Sequence, residues 1–384
     1  MIGGGARHRR LPRGAARVIA PILTLALTAC ATVPAVPLAN PSASVPENAP
    51  SRPDVPRPAP VEALSPTALP GWDHEDHLAA FEAYATGCTA AREAAARVQC
   101  ARAMQIKQTS KPVTSLVARV FFESGFTVVA AETTDGGHGL LTSYFAPEYS
   151  ARMVADAEFD APVLAKPSGW TRGQTLPVRT EIEGAPEAAS GAPPLAWMRA
   201  EELFFMQIQG SGYLTLEDGS RVRAGYAADN GRPFTGIARP MAERGLLPPN
   251  GTSGDAIRGW LAAHRGPEAA EVMALNARYI FFKLDPDDGG DPAGAAGIPL
   301  PARRAIAVDP ASWRYGDAVW ISADGGNLAG ARGSYQGLVM ALDTGSAIRG
   351  PVRADLYMGR GEAAGVEAGA VRHPLRMWRL IPRG

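Results

Sequence analysis

From Phe126 onward the chain is a succession of short apolar runs broken every few residues by Gly, Pro or Asp. This interruption constrains the fold more than any other feature. Thr127–Ala130, Tyr213–Leu216, Arg221–Arg223, Tyr279–Phe282, Ala305–Val308, Ala318–Ile321, Gly337–Leu342 and Met377–Leu380 have strand length and strand composition. Leu203–Ile208 reads as a further strand, and Glu217-Asp218-Gly219-Ser220 as a hairpin turn. Regularly spaced short strands argue for barrels rather than a doubly wound sheet. Gly (42) and Pro (34) make up about a fifth of the 384 residues, against a usual ~12%, as many turns and a Pro-rich linker require. Helical spacing is confined to two stretches, Asp73–Met104 and Gly254–Leu275.

The N-terminus has a different character. Arg7, Arg9, Arg10, Arg13 and Arg17 precede an apolar run from Val18 to Ala29, shorter than the ~20 residues a spanning helix needs. This reads as a secretory signal over residues 1–29. Leu27-Thr28-Ala29-Cys30 resembles the bacterial lipobox, in which the cysteine becomes the lipidated N-terminus. Ala31 after it resembles signals that permit transfer to the outer membrane. Residues 31–70 hold 11 prolines in 40 and no aromatic residue, a composition that favours an extended spacer over a core. The expectation is an outer-membrane lipoprotein of a Gram-negative bacterium, facing the periplasm, with Cys30 and its linker covering 30–70. The 38 basic and 38 acidic residues cancel, which excludes a strongly basic nucleic-acid binder. Cys88 and Cys100 lie in an exported, oxidising context that allows a disulfide. On one straight helix they would stand ~18 Å apart, so a bridge requires a helical hairpin, turning near Ala94–Ala96. Without that turn they are two buried thiols.

Few chemistries remain open. Gly210-Ser211-Gly212 and Gly359-Arg360-Gly361 lack the spacing of a nucleotide loop, and Ser211 has no G-x-S-x-G frame. His74 and His77 have no third ligand nearby and read as a solvated helix start; no metal or organic cofactor is implied. Carboxylates are left. Asp309, Asp343 and Asp355 each end or follow an apolar run, where a low-dielectric core can raise an acid's pKa, although such positions also suit simple turn formers. Asp343-Thr344-Gly345 mimics an aspartic protease signal, but that chemistry needs a second such aspartate and none is present.

Leu203 through Gly212, Gly225-Tyr226-Ala227 with Asn230-Gly231, and Asn276 through Phe282 together resemble the membrane-bound lytic murein transglycosylase A family. Arg304 through Pro310, Asp343 through Gly350 and Arg353 through Tyr357 resemble that family's three-aspartate domain. The likeness covers most of residues 71–384. The family's Thr-Gly-Tyr-Tyr-Glu-Pro segment stands here as Thr142-Ser143-Tyr144-Phe145-Ala146-Pro147, so the groove beside it is expected to differ. The resemblance implies a mainly β protein: a double-psi β-barrel from residues 71–138 and 273–384, N-terminal helices, and a second β-barrel inserted over 139–272. It implies that peptidoglycan is bound between the barrels, and that its β-1,4 MurNAc–GlcNAc bond is cleaved without water to a 1,6-anhydromuramyl end. Asp355 is assigned as the acid and then the base, Asp343 as its support, and Asp309 as structural. Gln209, Tyr226, Asn230 and Tyr144 are candidate sugar contacts. A glycan-binding module without catalysis is the alternative, which retention of Asp355 disfavours. Partners in cell-wall synthesis or division are not specified by the sequence.

Overall fold

The structure, a computed structural model, describes residues 63–247, 252–326 and 328–384. Cys30, the signal and most of the Pro-rich segment lie outside them. Before Trp72, Leu64 already bridges Val128 and Pro66–Ala68 forms a 3₁₀ turn; Trp72 is buried and its indole N–H donates to Glu123 Oε1 at 2.9 Å. Helix α1 (His77–Gly87) starts on Asp76, whose carboxylate accepts from Ala79 N at 3.0 Å. Helix α2 (Ala94–Thr109) runs back against α1, and Cys88 is bonded to Cys100 across the hairpin. The reversal falls at Cys88–Glu93, before the Ala94–Ala96 region expected from sequence, because Ala94 already begins α2. Closing a loop of this length contributes about 3 kcal/mol. His77 is not solvated as expected; it is buried edge-on against Trp72, ring centroids 4.7 Å apart. Helix α3 (Ser115–Gly125) buries Ala118, Phe121, Phe122 and Gly125, one stripe at i, i+3, i+4 and i+7.

Strand β1 (Phe126–Ala131) leads into β2 (Gly139–Ala146). After the inserted region come β9 (Ala305–Ala307), β10 (Ala318–Asp324), β11 (Ser334–Asp343), β12 (Arg353–Arg360), helix α10 (Gly361–Ala368) and β13 (His373–Pro382). The sheet runs β1-β13-β10-β11-β9-β12-β2, and β2 pairs again with β13, closing six strands into a barrel. Ile306, Val319, Ile321, Val339, Ala354 and Leu356 fill its interior. Alternate residues face outward, where Ala305, Trp320, Leu338 and Tyr357 pack with the aromatic residues of α1 and α3. These strands are buried on both faces, so they read as continuous apolar runs rather than as alternation. Gly139 sits where β2 meets two neighbours: a Cβ there would lie 2.5 Å from Val352 O and 2.6 Å from Leu375 O.

The insert comprises β3 (Glu148–Ser150), β4 (Ala161–Leu164), α4 (Arg179–Gly184), α5 (Pro186–Ser190), β5 (Pro194–Met198), α6 (Ala200–Gln209), β6 (Gly212–Thr215), β7 (Arg221–Asp229), α7 (Ala238–Glu243), α8 (Gly254–Ala263), α9 (Pro267–Ala274) and β8 (Ile280–Pro286). A four-stranded sheet, β3-β6-β7-β8, and a β4-β5 ribbon are joined at both ends by single bridges, Ala165 to Phe282 and Arg152 to Trp197. The second barrel therefore closes through two bridges instead of full ladders. The boundaries differ from the expected 71–138, 139–272 and 273–384. β2 belongs to the first barrel and β8 to the second, so the chain crosses at Pro147 and after Pro286. Leu203–Ile208 is not a strand but lies within α6. Glu201 and Glu202 occupy its first turn, and Gly210 ends it at φ 82°. A six-residue apolar run fits either period, and these flanking signals decide it.

Candidate active site

Strand register assembles the site. On β11, Asp343 pairs with Ala307 of β9; Ala307 pairs with Asp355 of β12; and Asp355 pairs with Thr142 of β2. Residues directly opposite share a face, so the two carboxyls stand on one surface with only an alanine methyl between their backbones. Two strand spacings separate those backbones, roughly 10 Å. Asp355 was expected at the end of an apolar run; it is the third residue of β12, set on the outward face while Ala354 and Leu356 point into the barrel.

Each aspartate has a different environment. The Thr142 hydroxyl donates to Asp355 Oδ1, and Arg353 Nη2 donates to Thr142 Oγ1 at 2.9 Å. Asp355 Oδ2 accepts no hydrogen bond among the described residues. Desolvation raises the Asp355 pKa, and the charge of Asp343 adds to the rise; Thr142 and Arg353 oppose it. Asp343 accepts from Tyr144 Oη at 2.7 Å and from Ala295 N at 2.8 Å. Burial also pushes its pKa up, against those donors. More donors are fixed on Asp343 than on Asp355, which leaves Asp355 the better placed of the two to hold a proton. Asp309 is unlike both. Its carboxylate accepts from Gly350 N at 2.7 Å and Ala311 N at 3.1 Å, and the Gly350 bond leads the causes that hold its pKa below the usual range. It pins a loop and stays ionised.

The first barrel matches a family model described as the 3D domain over residues 304–381, and the insert matches the MltA specific insert domain over 140–283. A membrane-bound lytic murein transglycosylase A of Vibrio cholerae is 32% identical over 267 residues, covering 66% of this chain and 69% of the relative. The chain belongs to the membrane-bound lytic murein transglycosylase A family. Its Escherichia coli member is 33% identical over 251 residues, or 64% of this chain and 66% of that one. A crystal structure of the membrane-bound lytic murein transglycosylase from Agrobacterium tumefaciens superimposes with a TM-score of 0.70 at 30% identity, covering 84% of this chain and 97% of that one. Escherichia coli MltA with bound chitohexaose gives 0.63 at 26% identity, covering 79% and 90%.

Within this transglycosylase A fold the candidate sugar contacts separate. Asn230 is fully buried; its amide donates to Pro177 O and Ala277 O and accepts from Tyr279 N. It braces the second barrel and has nothing left for a ligand, which corrects the expectation of a sugar contact. Tyr144, half-exposed, donates its hydroxyl to Asp343 and supports that carboxylate. Gln209, half-exposed, accepts from Phe145 N at 3.2 Å and keeps its amide N–H groups free among the described residues. Tyr226 exposes 46% of its surface, with its hydroxyl on Asp229 Oδ2 at 2.5 Å, so a ring face is open. Phe145, which replaces the family's second tyrosine, packs on the first-barrel side beside Gly365. Sequence reasoning missed Thr142 and the spacing role of Ala307, since neither role exists until register is known. Among the described residues no group of three His, Cys, Asp or Glu converges as a metal cage would.

The raised Asp355 pKa fixes a sign. Between the unfolded value and the higher native one, the native state binds more protons, so stability falls as pH rises through that window. Asp355→Asn, neutral at every pH, is expected to melt above the parent at pH 7. The advantage should vanish below the ordinary aspartate pKa of ~3.9. Calorimetric melts between pH 3.5 and 7 measure it, and an advantage independent of pH contradicts the raised pKa.

Proposed function

We propose that this chain cleaves the β-1,4 bond between N-acetylmuramic acid and N-acetylglucosamine in peptidoglycan without water, leaving a 1,6-anhydromuramyl end. The observation that carries this is one carboxyl poised to be protonated, Asp355, with a second, Asp343, in the same row. In the proposed reaction Asp355 donates its proton to the glycosidic oxygen as the bond from that oxygen to C1 breaks, and the N-acetylglucosamine leaves with a free 4-hydroxyl. Asp343, positioned by hydrogen bonds from Tyr144 and Ala295, acts in its ionised form to stabilise the positive charge that develops at C1 and the ring oxygen. The muramyl O6 then bonds to C1 and its proton returns to Asp355. An ordinary glycosidase uses a second group to activate water or to attack. Here the nucleophile is tethered to the reacting sugar, and effective molarity supplies much of that contribution.

The support given to Asp355 is not where sequence placed it. Thr142 holds the acid by hydrogen bond, and Asp343 acts through charge. Gln209 and Tyr226 remain sugar-contact candidates, one beside β2 and one on the exposed surface of the insert. The chitohexaose bound in the Escherichia coli relative supports a groove that takes β-1,4-linked N-acetylglucosamine units. Attachment to the outer membrane through a lipid on Cys30 belongs to the same reading; the relatives are named membrane-bound, and among the described residues no helix is long and apolar enough to cross a membrane.

Asp355→Asn should fold, bind glycan strands and lose at least 10²–10⁴-fold in turnover, the usual share of proton transfer. Asp343→Asn should lose less, and Asp309→Asn should change stability more than rate. Mass analysis of digested peptidoglycan reads the outcome: ends one water lighter than reducing ends mark the transglycosylase, while reducing ends or near-normal turnover by folded Asp355→Asn sink the assignment. Cys30→Ser should leave the expressed protein in the soluble fraction with its activity intact. Retention on membranes in high salt would reject the anchor.

A further inference from the structure

The row that holds Asp355 continues beyond Thr142. β13 enters antiparallel to β2 with His373 opposite Leu141 and Pro374 opposite Leu140. Arg372, one residue before the strand, therefore stands beside Thr142 on the same face. On β12, Arg353 lies two residues before Asp355, on that face again. The arginines are close: burial lowers the Arg353 pKa below its ordinary value, the charge of Asp355 opposes this, and the charge of Arg372 adds to it. Exposed His138, just ahead of β2, joins Arg372 around an open pocket of about 380 Å³.

Within this concentration of positive charge Arg353 has only Asp355 as a nearby anion, and among the described residues Arg372 is paired with none. Arg353 bonds neutral acceptors, Thr142 Oγ1 at 2.9 Å and Ala354 O at 2.5 Å, and reaches Asp355 only through Thr142. Arg372 is exposed and has no hydrogen-bonded partner among the described residues. The contrast with Arg360 is direct, since that arginine, further along the same strand, is paired with Asp287 at 2.8 Å. Two adjacent guanidinium groups repel until a shared anion enters, and their planar donors match a carboxylate.

We propose that Arg372, His138 and Arg353 form a carboxylate-recognition subsite beside Asp355 that reads the acidic substituent of the muramyl residue. This rests on the transglycosylase reading. A muramyl residue carries a carboxylate close to the reacting sugar, on its lactyl group when bare and on the peptide stem when substituted, whereas a chitin oligomer carries none. Geometry adds a consequence for rate. An anion beside Arg353 offsets the cation that favours ionised Asp355, so the charged substrate itself helps to keep the acid protonated.

The test compares the parent enzyme, Arg372→Ala and Arg372→Lys on peptide-bearing strands and on strands stripped by an amidase, with chitohexaose binding measured in parallel. Arg372 is exposed, so the substitutions should fold. Arg372→Ala should raise KM about tenfold on a carboxylate-bearing strand, with kcat within about threefold, Arg372→Lys recovering most of the loss and chitohexaose affinity unchanged. A loss confined to peptide-bearing strands assigns the stem carboxylate, a loss confined to stripped strands assigns the lactyl carboxylate, and a loss on both shows that the subsite takes either. Unchanged KM on both strands, or an equal weakening of chitohexaose, overturns the proposal. If the parent enzyme released no anhydromuramyl ends, the reaction assignment would fail. The subsite would then be read from strand binding to Asp355→Asn with and without Arg372→Ala, where an equal affinity rejects it.

Discussion

β9 contributes only three residues, Ala305–Ala307, yet the site depends on how its last one is paired. Ala307 is flanked by Asp343 on a parallel neighbour and by Asp355 on an antiparallel one. A parallel and an antiparallel partner on the two sides of one short strand require crossover connections, and the closed six-strand barrel provides them. A slip of one residue would turn either carboxyl into the apolar interior with Ile306 and Leu356. The buried alternation of these strands therefore fixes the chemistry as well as the fold. The small side chain between the acids matters too, since a larger one would crowd the space between the two carboxyls.

The strand that carries the acid also ties the two barrels together. Past Asp355, the Tyr357 hydroxyl donates to Asp291 Oδ1 at 2.9 Å. At the end of β12, Arg360 pairs with Asp287 at 2.8 Å and Glu148 at 3.2 Å, and its guanidinium lies 3.5 Å from the centre of the Tyr213 ring. Glu148 and Tyr213 belong to the insert. The Asp287 and Arg360 side chains are largely buried, so their pairing is less screened than an exposed one and should hold the insert in a defined relation to the aspartates.

Much of the architecture could be read from the chain because barrel strands announce themselves as short apolar runs between turn residues. Failures came where a local pattern was ambiguous or where the decisive fact was non-local. Leu203–Ile208 has an apolar density that suits a strand, and only the acidic start and Gly210 at the end point to α6. The domain boundaries shifted because β2 and β8 look alike locally, and pairing alone decides their barrel. Asp355 and Asp309 are both aspartates near apolar runs, and what separates them is their donors: backbone N–H groups from a loop on Asp309, one hydroxyl on Asp355. Asn230 sits in a motif that suggests ligand contact, yet all of its polar atoms serve the backbone around it.

The central claim is that Asp355 holds a proton at the start of the reaction because it is desolvated next to the charge of Asp343. Carbon-13 NMR titration of aspartate carboxyls, with the Asp355 signal assigned by its loss in Asp355→Asn, tests this directly. The account predicts a midpoint clearly above the ordinary ~3.9 and a downward move when Asp343→Asn removes the neighbouring charge. A midpoint at or below the ordinary value, unmoved by Asp343→Asn, would contradict it.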